Sequence, residues 1–174
     1  MNDYPAKHMT KEAVLKEVYE RAFGYERDYG NCCQCTVASV AELFGLDTSL
    51  VKSGHLFSAG FGSCGRGTCG ALSGAALVLS TLHGRERDEF PTFTGDGGRS
   101  ILIEIQKKYE ETFGSIVCHD VQKKIMGRPY NLLDPEDRQR FLDAGGHVDK
   151  CTNVVGMTAM WLAEAVWDSM QHTD

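Results

Sequence analysis

Apolar residues recur three and four positions apart along nearly the whole chain, the period of an amphipathic helix. Over residues 11–23 the apolar positions are Val14, Leu15, Val18, Tyr19, Ala22 and Phe23, with Thr10 placed to cap them. A second helix is predicted between Asn31, an N-cap residue, and Gly45, suited to a left-handed C-terminal position. It turns Val37, Val40, Ala41 and Phe44 inward. A short third helix is predicted over residues 49–58. Residues 69–84 are apolar or small on almost every face, which predicts a buried central helix. A further helix in "GGRSILIEIQKKYEETFG" presents Ile101, Leu102, Ile105, Tyr109 and Phe113 to the core. "SIVCHDVQKKIMG" predicts a short helix capped by Ser115. "DPEDRQRFLDAGG" opens a helix with acidic residues and Pro135 in its first turn. The last helix, residues 150–170, buries Val154, Thr158, Trp161, Leu162, Ala165 and Val166. No pair of strands is predicted. The fold class is all-α, a compact bundle of about six to eight helices around a central apolar helix, in one domain of 174 residues.

Composition narrows the function. A hydrophobic fraction of 42% is ordinary for a globular chain and argues against disorder. The net charge is -6 and the basic residues are scattered, so no nucleic-acid partner is expected. The longest apolar run, "ALVLSTL", is too short for a bilayer, and the N-terminal residues show no apolar signal core. The expected location is the cytoplasm, with no membrane association.

That location changes how seven cysteines read, because disulfides seldom persist in a reducing compartment. Any one of them can be a small buried hydrophobe. Seven in recurring local context point to ligands or nucleophiles. Cys32 and Cys33 open the second predicted helix, Cys69 the central one, Cys118 the helix after Ser115, and Cys151 the last. A helix N-terminus presents unpaired N–H groups and partial positive charge, which favours thiolate. If the four ends converge, they form a polarised pocket for a sulfur-ligated cofactor. Cys32 and Cys35 share one helix face in a C-x-x-C, but the βαβ surroundings of a thioredoxin motif are missing. Cys64 and Cys69 bracket a glycine loop, which suits ligand presentation. "GFGSCG" satisfies G-x-G-x-x-G formally, without the strands that a dinucleotide site needs. His119 fits a ligand or proton carrier but reads more simply as a surface histidine, His55, His83 and His147 are unremarkable by context, and no catalytic acid, base or substrate pocket is identifiable.

Taken together, "NCCQCTVASVAELFGLD", "SAGFGSCGRGTCGALSGAALVLSTLHG", "FGSIVCHDV" and "DKCTNVVGMTAMWLAEAV" resemble the C_GCAxxG_C_C family of redox-active proteins. The matching positions are Cys32, the segment Cys69-Gly70-Ala71-x-x-Gly74, Cys118 and Cys151. The domain is also similar to the C-terminal part of split-Soret cytochromes, which the resemblance associates with an iron–sulfur centre. Cys33, Cys35 and Cys64 are additions to the family pattern. The resemblance implies a cluster of two or four irons on Cys69, Cys118, Cys151 and one of Cys32, Cys33 or Cys35, with Cys64 as the extra ligand. It implies electron transfer or a small reductive reaction with a donor or acceptor protein, and a homodimer. A metal-free thiol–disulfide or sulfur-transfer enzyme is the first alternative. A structural zinc module is the second.

Overall fold

The computed structural model describes residues 3–171. Eight α-helices occur among them: α1 (Lys11–Tyr29), α2 (Cys32–Phe44), α3 (Ser49–Ser53), α4 (Gly70–His83), α5 (Arg99–Phe113), α6 (Cys118–Met126), α7 (Pro135–Asp143) and α8 (Cys151–Gln171). The only β pairing among the described residues is an isolated antiparallel bridge between Thr68 and Val117. The fold is all-α, as the periodicity requires.

Most helix ends fall where the cap residues put them. Thr10 accepts a hydrogen bond from the Ala13 N–H, Asn31 from Gln34 and Asp134 from Asp137. Each satisfies an N–H that the first helical turn leaves unpaired. Gly45, Gly114 and Gly127 close α2, α5 and α6 in left-handed conformation.

Three ends differ from the sequence reading. α1 runs through Gly24 to Tyr29, six residues beyond the predicted end. A mid-helix glycine costs only about 1 kcal/mol, which the packing of α1 along α8 offsets. α3 stops at Ser53, and residues 55–57 form a 3₁₀ turn. Ser115 does not cap α6. Its hydroxyl accepts from the Val117 N–H and donates to Asp120, while α6 begins at Cys118 after Val117.

α1 lies against α8 along its length, α2 packs on both, and α4 crosses α2 with α5 beyond it. The core is filled by Val14, Val18, Val37, Val40, Leu72, Val78, Val154 and Leu162, all essentially inaccessible. α2 and α4 approach closely because Gly74 has no side chain. A Cβ there would lie 2.8 Å from the Cys33 carbonyl oxygen.

Between the 3₁₀ turn and α4 the chain adopts an unusual path. Ala59, Gly60, Phe61, Gly62 and Ser63 are consecutive residues at positive φ, and Gly65 follows. Each non-glycine residue there costs about 1–2 kcal/mol. The loop is held by backbone bonds from Gly62 to Leu56, Gly65 to Ala59 and Gly67 to Gly60. It is latched to the start of α6 by Cys69 N–H to Ile116, Cys118 N–H to Gly67 and His119 N–H to Gly65. Gly65 sits at φ +73 with the His119 imidazole where a Cβ would be, so no other residue fits. This latch brings Cys69 and Cys118 to the same place.

Candidate functional site

Cys32, Cys69, Cys118 and Cys151 come from four different helices and line one cavity of about 350 Å³. Cys33, Cys35 and Cys64 are not on its wall. Cys33 is fully buried beneath Gly54, and the Cys35 thiol donates to the Gly30 carbonyl at 2.9 Å. Cys64 lies in the left-handed loop and donates to the Gly60 carbonyl at 2.8 Å. The structure therefore separates the first trio: Cys32 reaches the cavity, while its two neighbours point into packing.

Local structure holds each of the four in place. Cys32 is the first residue of α2, and its sulfur accepts the Ala59 N–H at 3.4 Å. Gly70 makes room for that sulfur, since a Cβ at Gly70 would overlap it. Cys69 is the N-cap of α4, with the Ala71 and Leu72 N–H groups and the buried Tyr109 hydroxyl facing its sulfur. Cys118 opens α6 and receives the Gln122 amide at 3.8 Å. The carbonyl end of Gln122 in turn accepts from the Tyr130 N–H at 2.8 Å, so the whole side chain is fixed.

Cys151 departs from the expectation of a helix N-terminus. A five-residue π turn, Gly146–Lys150, precedes it, and the Cys151 N–H is already bonded to the Gly146 carbonyl. Three of the four cavity cysteines sit at helix openings, and the fourth sits one turn inside a continuous helical path.

The expected lowering of thiol pKa values is largely overridden. Burial disfavours thiolate by removing water, and it pushes Cys33 up to about 12 and Cys35, Cys118 and Cys151 higher still. Cys69 goes the other way, to about 7, because the neighbouring Cys32 thiol favours its thiolate, with smaller contributions from the Tyr109 hydroxyl and the Ala71 and Leu72 amides. The same proximity raises Cys32. Cys64 is also lowered, by the Arg66 N–H, outside the cavity.

Two further groups on the wall escaped the sequence reading. Glu26 is 3% exposed and lines the cavity, and its Oε2 has no hydrogen-bond partner. Burial holds its carboxyl protonated, with the pKa raised to about 8. His147, from the π turn, places Nε2 3.6 Å from Glu26 Oε1. Burial lowers the His147 pKa, so both groups are neutral at pH 7. The available signal was periodicity: Val14, Val18, Ala22 and Glu26 lie four apart, which puts a carboxyl on the buried stripe of α1.

The chain is all-helical and gathers four cysteines from distant segments around one cavity. The family model described as putative redox-active protein (C_GCAxxG_C_C) matches residues 30–165. The chain is a member of that family, and the match runs from the turn before α2 into α8. No curated protein and no solved structure matches the chain. No described helix is long and apolar enough to cross a membrane.

Proposed function

We propose that the cavity holds an iron–sulfur cluster on the thiolates of Cys32, Cys69, Cys118 and Cys151, and that the protein transfers electrons through it. The observation that carries this reading is the meeting of four cysteines, and only those that match the family motif, on one cavity wall. The donor set is all sulfur, the usual set for two-iron and four-iron clusters. Among the described residues no three His, Cys, Asp or Glu side chains stand close enough to hold a single metal ion. Tetrahedral zinc with Zn–S bonds of about 2.3 Å needs sulfurs about 3.8 Å apart. When bound, a cluster supplies one-electron storage and transfer. The chain supplies the ligands, the Ala59 N–H and Gln122 amide that hydrogen-bond to their sulfurs, and burial from water. A separate donor or acceptor protein, a cytoplasmic location and a homodimer belong to this reading.

A second reading is favoured by the proximity of the Cys32 and Cys69 thiols, which lowers Cys69 to about 7 and raises Cys32. The Cys69 thiolate attacks an external disulfide, and Cys32 then resolves the mixed disulfide, so that the pair loses two electrons and two protons to the substrate. Iron, acid-labile sulfide and zinc content with a visible spectrum on anaerobically purified protein distinguish the two. The cluster reading expects matched iron and sulfide, lost on Cys→Ala at 32, 69, 118 or 151 and kept at 33, 35 and 64. Folded, colourless, iron-free protein removes it and leaves the dithiol.

A further inference from the structure

We propose that His147 and Glu26 form a proton port, through which the cysteine cavity exchanges protons with solvent. The inference rests on the proposed function only for the nature of the group in the cavity.

The line of contacts is short. The His147 side chain is 30% exposed, its Nε2 lies 3.6 Å from Glu26 Oε1, and the Glu26 side chain is 4% exposed. Glu26 and His147 both line the cavity, and the second carboxyl oxygen, Oε2, is buried without a hydrogen-bond partner. A buried polar atom left unpaired costs about 1–3 kcal/mol. No hydrogen bond within the fold satisfies this atom, although the Cys35 thiol lies beside the carboxyl group.

Three features place the imidazole. It sits on the π turn, where His147 itself departs from helical φ/ψ. Single π turns recur at functional sites because they displace one side chain from the regular path. Gly30 leaves the space the ring fills, since a Cβ there would lie 2.9 Å from His147 Cε1. The Phe141 ring meets the imidazole edge-on, with centroids 5.4 Å apart.

The transfer needs no redox step. The Glu26 carboxyl breaks one O–H bond to protonate an acceptor in the cavity. His147, protonated from solvent, breaks one N–H bond to restore the carboxyl. One solvent proton enters, and no electron moves. The other titratable or charged groups facing this route are Cys32, Cys35, Cys69, Cys118 and Cys151, with Arg138 at the outer end. The route adds proton delivery to the electron transfer proposed for the centre, with the electrons coming from the separate donor protein. The substrate class it fits is a small molecule that gains hydrogen as it is reduced.

The test is infrared spectroscopy of the full chain, purified anaerobically, with metal content measured on the same sample. A protonated-carboxyl band at pH 7 is expected in the wild type and missing in Glu26→Gln. On transfer to heavy water, His147→Phe should slow the exchange of that band at least tenfold, with an unchanged far-ultraviolet spectrum. His147→Asn should slow it too, which guards against misfolding of the Phe variant. Exchange at the wild-type rate in a folded variant, or a band that survives Glu26→Gln, overturns the port. Iron with His147-independent exchange rejects the port and keeps the cluster. His147-dependent exchange without iron does the reverse.

Discussion

Replacing Glu26 by Gln removes a proton-binding group while keeping its shape. The folded chain holds the Glu26 proton up to a pKa of about 8, against 4.5 for an unburied carboxyl, because burial excludes the charged form. The sign follows from which state binds the proton more tightly. Below about pH 4.5 the carboxyl is protonated in both states and contributes no pH dependence. As pH rises toward 8, the unfolded chain ionises while the folded one does not, so stability falls. At about 1.4 kcal/mol per unit, the span from 4.5 to about 8 amounts to about 5 kcal/mol. The glutamine variant lacks this loss. Urea unfolding of reduced, metal-free wild type and variant at pH 4.5, 6, 7 and 8 measures it. The stability difference should move in favour of the variant by several kcal/mol across that range. The Cys69 thiolate adds to the rise of the Glu26 pKa, so the comparison is repeated in a Cys69→Ser background, where the difference between Glu and Gln should persist because burial is its larger cause. Parallel curves would refute the burial argument, since they require Glu26 to ionise equally easily in both states.

Gly70→Ala drives a methyl group into the Cys32 sulfur and to 2.9 Å from the Ser58 Cα. It should cost about 1–3 kcal/mol by thermal melting and lower metal content if Cys32 is a ligand. Gln122→Ala leaves the Tyr130 N–H unpaired and removes the bond to Cys118, an expected loss of about 1–3 kcal/mol in urea unfolding. In reduced, folded, metal-free protein, brief alkylation at pH 7.5 followed by peptide mass mapping should label Cys64 first. Cys64 is half-buried with a lowered pKa, whereas Cys33 and Cys35 are buried with raised ones. Equal labelling of Cys33 would contradict the packing of α2. Thr10→Ala should cost about 1 kcal/mol, the ordinary value of an N-cap.

The sequence by itself determined the helices and most of their ends, because caps and apolar period are local properties. Asn31, Gly45 and Asp134 act through hydrogen bonds or left-handed geometry a few residues away, and they could be read without knowing the rest of the chain. It also determined which cysteines recur in the family order. Tertiary structure alone decided which sulfurs meet. Cys32, Cys33 and Cys35 lie within four positions, and rotation about α2 sends only Cys32 to the cavity. It also decided the thiol chemistry, since helix-end electrostatics can be read from a boundary, while the opposing loss of water depends on every neighbour. Glu26 belongs to both levels. Its place on the buried stripe of α1 is a matter of period, but the approach of His147 to its Oε1 follows from a π turn more than a hundred residues away, which no local pattern records.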